Sequence, residues 1–300
     1  MPITFEYDST ETIDLDEFKN RFAKLGCRPS DTSSLEMAAP LLRQLGNNKE
    51  FVFEAMSDKL LAIANGDKFA PETGQVLGID KIDDFFSVRA VVWPSEDDEL
   101  LQKTGPDLFY YEKAHDHNFS FLTIGYWGPG YVSDYFEVDM DERGANDLHV
   151  GQPVNLKHTG LHTLLENKMM LYRAYIDVHS QMYPESMSIS LNIIANPPIN
   201  ALTSQYLYDT DLNKVNSIYQ SRTNYGIFRN ALDCNIDDAE GMLLHISENH
   251  EDGLTRYFAI KTLADNKFYD VDRLKSLCND LKHTDRYAHG MLSEYLRPLV

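Results

Sequence analysis

Cysteine is scarce in this chain, basic clusters are missing and no long apolar run occurs; each absence removes a class of protein. The three cysteines, Cys27, Cys234 and Cys278, are odd in number, far apart and without CxxC spacing. They form neither a disulfide framework nor a thiolate zinc site, and read as free thiols in a reducing compartment. No stretch approaches the ~18 consecutive apolar residues of a membrane-spanning helix. The opening MPITFEYDSTETIDLDEF is acidic and has no apolar centre, so no signal peptide is expected. Lys and Arg number 27 against 47 Asp and Glu, a net charge of −20. A nucleic-acid binder needs a basic footprint, and this balance argues against one. GxGxxG, Walker and GxSxG motifs are absent. The turn Gly128-Pro129-Gly130 lacks the following helix that a phosphate loop needs. The expectation is a soluble cytoplasmic protein that engages neither nucleic acid nor membrane.

What is present is enough for a substantial core: 300 residues, 43% of them hydrophobic. Three stretches near the start carry apolar residues at helical spacing. Residues 13–25 place Leu15, Phe18, Phe22 and Leu25 on one face, with Gly26 as a stop. Residues 34–45 and 51–64 repeat the pattern. From about residue 85 the texture becomes β-branched and aromatic. Strands are expected over 87–93, 108–111, 118–126, 131–138, 169–175 and 188–194. The 127–130 turn would join the third and fourth of these as a hairpin, and Pro197-Pro198 would end the series. Many short strands with evenly spaced turns point to a barrel or jelly roll. Helical spacing returns over 210–229, 237–248, 253–264, 270–281 and 286–296. The fold expected is α+β: a helical region over 1–84, a central β-barrel of jelly-roll type over 85–200, and a helical module over 201–300.

His115-Asp116-His117 carries the strongest chemical signal. Histidines at i and i+2 on a strand project from one face, while Asp116 faces the other way. His179 follows 62 residues after His117 (179 − 117), in another strand-like stretch. Three neutral imidazoles from two strands would make a facial metal site with open positions, suited to Fe, Zn, Cu or Ni. A closed structural zinc site has four protein ligands, so three ligands favour catalysis. With no anionic ligand, such a site would favour an anionic donor on the substrate. Tyr135, Glu137 and Arg173 lie on neighbouring expected strands and are candidate catalytic residues lining the pocket. Tyrosines at 110, 111, 126, 131, 135, 172 and 175 either line an aromatic pocket or reflect strand propensity.

His115-Asp116-His117, the strand and Gly125 after it, the distal His179, Ser190 and the exit at Pro197-Pro198 together resemble the cupin superfamily. The three-histidine thiol dioxygenase branch is the nearest likeness, over roughly residues 85–198. The resemblance implies a cupin barrel with His115, His117 and His179 holding Fe(II); Zn, Ni and Mn are the alternatives. A small organic or amino-acid-like substrate and dioxygen would take the open positions, and dimerisation through the sheets is a common cupin arrangement. The chain also departs from the pattern. Phe121 and Leu122 stand where many cupins place a Glu ligand. Leu122 and Ile194 replace the cross-linked Cys and Tyr of the thiol dioxygenases, and Asn192 replaces their second-sphere His. What the likeness implies is therefore a three-histidine oxygenase with a substrate other than cysteine.

Rival signals are weaker. His158 and His162 are spaced i, i+4, but Gly160 interrupts a helix there and no Glu follows His158. His149 is a substitute for His179 as third ligand. A 2-oxoglutarate oxygenase needs an acid where His117 stands and a basic residue soon after the distal histidine, yet neither Arg nor Lys occurs between His179 and Lys214. Two further readings stay open: a non-catalytic cupin that binds a small ligand or a partner protein, and a zinc or nickel cupin isomerase or lyase.

Overall fold

The computed structural model describes residues 1–66, 75–139, 148, 150–197, 200, 203–220, 224–250, 253–266, 271–284, 289–290, 292–293 and 296. The chain divides into two compact units. The first comprises Met1–Met140, Val150–Pro197 and Gln205–Ser217; the second comprises Asp141–His149, Pro198–Ser204 and Ile218–Val300.

The first unit begins with helices whose ends the sequence dictates. Helix α1 (Leu15–Leu25) starts where the Asp14 carboxylate accepts from Glu17 N at 2.8 Å, and stops at Gly26 in the left-handed region. Phe18 and Phe22, one turn apart, are its buried face. The expected helix over 34–45 is instead a 3₁₀ segment (Thr32–Ala38) followed by helix α2 (Ala39–Asn47). Pro40 lies in the first turn of α2, where a missing N–H costs nothing, and it prevents one continuous helix. Helix α3 (Phe51–Ala64) follows, and a short helix α4 (Glu99–Thr104) lies further along the same unit.

The strands form antiparallel ladders. Six of them, β1 (Ile3–Phe5), β2 (Val76–Lys81), β3 (Phe86–Trp93), β4 (Phe121–Trp127), β7 (Met169–Tyr172) and β9 (Ser188–Ala195), run in the order β1-β7-β4-β9-β3-β2. Three more, β5 (Tyr131–Val138), β6 (Leu156–Leu164) and β8 (Asp177–Gln181), run β6-β5-β8, and β10 (Gln205–Asp209) pairs with β11 (Lys214–Gln220). Alternation assigns each face of the six-stranded sheet to a core. Val88 and Ala90, Leu122 and Ile124, Met169 and Leu171, and Leu191 and Ile193 pack with α1 and α2. The opposite face offers Val91, Trp93, Phe121, Met170, Tyr172 and Ile194, which pack with Tyr131, Tyr135 and Leu164 of the three-stranded sheet. The central β-structure thus consists, among the described residues, of separate ladders with two facing sheets, where one closed barrel was expected.

Two local expectations are corrected. Residues 108–111 form no regular strand: Pro106–Phe109 is a 3₁₀ turn, and Tyr110 and Glu112 take positive φ. The 127–130 turn does not close a hairpin, because β4 and β5 belong to different sheets. It is a corner. Gly130 (φ +82°) packs so tightly that a Cβ would sit 2.1 Å from Leu164 O.

A third correction concerns residues 210–229. They are not one helix: a turn through Asn213 (φ 48°) returns the chain into β11, and helix α5 (Asn224–Asp233) begins only afterwards. In the second unit α5 is followed by α6 (Ala239–Asn249), α7 (Gly253–Asp265) and α8 (Val271–Thr284). Tyr257, Phe258, Ala259 and Ile260 are consecutive and all buried, so α7 is enclosed by its neighbours rather than amphipathic. Leu274, Leu277 and Leu281 of α8 complete that core. Most of the expected helix over 286–296 lies outside the described residues, as do Asp270, His149 and Pro198.

Candidate metal centre

His115 sits in a one-residue strand between two others. Its N–H and C=O each bond His179 at 3.0 Å, and it bridges Leu207 on the other side. Alternation still governs this short segment. Asp116 points away from the histidines into a buried niche, where it accepts from Tyr206 N at 2.8 Å and the Tyr208 hydroxyl at 2.7 Å. His115 and His117 therefore face the side that His179 faces from β8.

The three rings converge. One nitrogen of each lies within 4.8 Å of the others. Ring centroids are 4.5 Å apart for His115 and His179, and 5.1 Å for both pairs involving His117. Nδ1 of His115 meets the Lys113 carbonyl at 2.8 Å, and Nδ1 of His117 meets Gln205 Oε1 at 2.9 Å. Both Nδ1 atoms thus carry the proton, which leaves Nε2 as the lone pair. His179 Nε2 lies 3.1 Å from His115 Nε2. Burial is the main cause that lowers all three pKa values. His117 is pushed down further by His115 and Arg89, and His179 by His115 and His117. Neutral imidazoles with two tautomers fixed by acceptors are the form in which histidine binds a metal, so the donor set fits a divalent ion.

An aromatic wall surrounds the rings. Phe119 lies against His117 with centroids 4.8 Å apart, Tyr172 meets His179 edge-on at 4.9 Å, and Phe121 stacks on Tyr172 at 4.3 Å. Tyr135 is fully buried opposite His179 in the β5–β8 ladder, its ring 6.4 Å away. Its hydroxyl is 2.7 Å from that of Tyr172. Burial raises the Tyr135 pKa to about 12, so the phenol stays neutral. Glu137 and Arg173 are engaged with each other at 2.6 Å, and Arg173 holds Asp177 at 2.7 Å. Among the three candidate catalytic residues, Tyr135 is the one whose ring lies beside a histidine, 6.4 Å from His179 between centroids.

Sequence reasoning missed three residues. Gln205 arrives from β10, a strand hidden in the expected helical module. Tyr172 stands in the sequence as one of many tyrosines. Arg89 is the third: on β3 it alternates with Val88 and Ala90, so it shares the face of Val91 and Trp93. Across the sheet it stands directly opposite Asn192 on β9, which stands opposite Thr123 on β4. An Arg inside the otherwise apolar run Val88–Trp93 was the available signal. Its guanidinium lies over the Phe119 ring at 5.7 Å. Both residues line a cavity of about 470 Å³ with Ser87, Asp80, Lys81 and Ile194. The rival pair does not form a centre: His158 is exposed on β6 and meets Asp134 at 2.6 Å, while His162 lies 6.0 Å from the Tyr135 ring.

No protein-family model matches the chain, and no curated protein matches it. Solved structures similar to it include salicylate 1,2-dioxygenase from Pseudaminobacter salicylatoxidans, at 12% identity over 51% of this chain and 35% of that one, with a TM-score of 0.28. DMSP lyase DddQ from Ruegeria pomeroyi matches at 8% identity over 65% and 79%, with a TM-score of 0.26. Vicilin from Solanum melongena matches at 8% over 60% and 42%, with a TM-score of 0.28. The chain spans about a third of the length of the salicylate dioxygenase. At TM-scores this low the likenesses carry no weight for activity.

Proposed function

We propose that the chain is a mononuclear metal-dependent oxygenase acting on a small anionic organic molecule, with His115, His117 and His179 as the metal ligands. The observation that carries this reading is the convergence of three neutral imidazoles, two with tautomers fixed by Lys113 O and Gln205 Oε1. Fe(II) held there would supply the one-electron chemistry with dioxygen that side chains lack. The protein's part is to hold, orient and exclude. The backbone pairing of His115 with His179 fixes the spacing of two ligands. Phe119, Phe121 and Tyr172 shield the rings from water, which strengthens electrostatic interactions at the site. Tyr135 and Tyr172 present neutral hydroxyls and withdraw no proton at neutral pH. The Arg173–Asp177 ion pair braces β8 two residues before His179.

Charge supports the substrate class. The ligand set adds no negative charge, and Arg89 acts electrostatically on His117. Arg89, Asn192 and Thr123 form a polar row across three adjacent strands, on the face that packs toward Tyr131 and Tyr135. A carboxylate or similar anion seated on that row would accept charge-assisted hydrogen bonds from the Arg89 guanidinium.

Metal analysis by plasma mass spectrometry on tag-free protein, with His117→Ala alongside, tests the reading. About one iron per chain, lost in the variant, and oxygen uptake with an anionic substrate are expected. Absence of metal after anaerobic Fe(II) loading would overturn it. Stoichiometric metal with turnover but no oxygen consumption would move the site to an isomerase or lyase.

A further inference from the structure

The face shared by Tyr135 and His179 carries more polar atoms than its hydrogen bonds use. Ser133 stands directly opposite Gln181 in the β5–β8 ladder, and Tyr135 directly opposite His179. Residues paired across strands, or two apart along one, share a face. All four are buried: Ser133 and Tyr135 are 0% exposed, His179 1% and Gln181 4%. His179 Nδ1, Gln181 Oε1 and Ser133 Oγ make no hydrogen bond of ordinary geometry, although Ser133 lies close to the Tyr135 hydroxyl. More than about nine in ten buried polar groups are bonded, so three such atoms on one face call for an explanation.

The tautomer of His179 provides one. His115 commits Nδ1 to the Lys113 carbonyl, so its Nε2 is an acceptor, and His179 Nε2 lies 3.1 Å from it. In the metal-free protein His179 therefore donates from Nε2 and keeps a lone pair at Nδ1. To ligate a metal through Nε2 it must carry its proton at Nδ1 instead, and that N–H then needs an acceptor. The Tyr135 hydroxyl on that face is engaged with Tyr172, whereas Gln181 Oε1 and Ser133 Oγ are polar atoms there with capacity to spare.

We propose that Gln181 and Ser133 hold one buried water against His179 Nδ1, and that this water reverses its role when metal binds. Without metal it donates to Nδ1 and to Gln181 Oε1, and accepts from the Ser133 hydroxyl. With metal it accepts from Nδ1–H and donates to Gln181 Oε1 and Ser133 Oγ. Both arrangements use three partners, the usual number for an internal water. Gln181 and Ser133 are positioning residues that act through His179, and the proposal rests on the metal reading given above.

The test uses the full chain labelled with ¹⁵N-histidine, stripped by chelator and then titrated with Zn(II) as a diamagnetic probe. Long-range ¹⁵N–¹H spectra report the tautomer of each ring. On Zn(II) addition the His179 proton should move from Nε2 to Nδ1 and show magnetisation transfer from water, while His115 and His117 keep theirs at Nδ1. Gln181→Met and Ser133→Ala should each weaken Zn(II) binding about tenfold. The double variant should lose less than the two losses combined, because both hold the same water. Gln181→Glu, which keeps an acceptor, should bind nearly as the parent does. Circular dichroism shows that each variant folds. A His179 proton that stays on Nε2 in the Zn(II) form, an Nδ1–H without water transfer, or Gln181→Met and Ser133→Ala proteins that bind as the parent would each overturn the proposal and leave the metal reading standing. A parent protein that takes up no Zn(II) would remove the metal reading and this proposal with it.

Discussion

Replacing Gln205 with Leu should loosen the metal centre without unfolding the sheets. Gln205 is buried, and its Oε1 accepts from His117 Nδ1 at 2.9 Å. Removing the acceptor leaves a buried N–H bare, which costs about 1–3 kcal/mol. The ring can relieve that cost by moving its proton to Nε2, and then the ligand lone pair is lost. Either route weakens the metal-bound state relative to the free one. Outer partners of metal-binding histidines are worth about 10- to 100-fold in affinity, or roughly 1.4–2.8 kcal/mol at about 1.4 kcal/mol per decade. Competition between the stripped protein and a chromogenic chelator for Co(II) reads this directly. Gln205→Glu keeps an acceptor at the same place and should recover most of the affinity. Equal Co(II) affinity in Gln205→Leu and the parent would refute the idea that tethered tautomers set the strength of the site.

Acid should unfold the metal-free protein early. All three histidines have folded-state pKa values below the ordinary one, so the unfolded chain binds more protons as pH falls. Stability is then full above the unfolded pKa of about 6.5 and declines below it, by up to ~1.4 kcal/mol per pH unit for each group. Urea melts from pH 7.5 to 5 should show this slope, and a triple His→Gln variant at 115, 117 and 179 should flatten it; an unchanged slope would count against the site as its source. Two glycines with positive φ should respond differently to Ala. Gly151 (φ +86°) has open space and should lose about 1 kcal/mol. Gly130 adds a backbone clash with Leu164 O and should lose more than ~3 kcal/mol, or fail to fold. Comparable melting temperatures for the two variants would contradict the close approach at the sheet corner.

Much of this architecture was legible where local chemistry and packing agree. The Phe18–Phe22 stripe and Gly26 mark α1 in sequence because face and stop coincide. The alternation over 131–138 marks β5 because one side of it is buried. Legibility failed where a distant partner decides the outcome. Residues 214–220 carry helical spacing, but β10 supplies a ladder that overrides it. The turn at 128–130 looks like a hairpin, yet which sheet β5 joins is settled by β6 and β8, not by the turn. The same logic divides the candidate site. His-x-His is a local pattern and was visible. Gln205 and Arg89 reach the histidines only through the pairing of remote strands, which spacing does not encode.

The reciprocal backbone pair between His115 and His179 has a consequence for how an ion would be chosen. The ligands are set at their spacing by the fold itself, since His115 is stitched on both sides and Asp116 anchors the segment from behind. The ordering entropy is spent when the chain folds, so uptake of an ion requires little further organisation. A rigid donor triangle adapts poorly to the radius of its guest. Discrimination among divalent ions would then follow the match between ion size and a fixed aperture, and amide hydrogen exchange at His115 and His179 should be slow before any metal arrives.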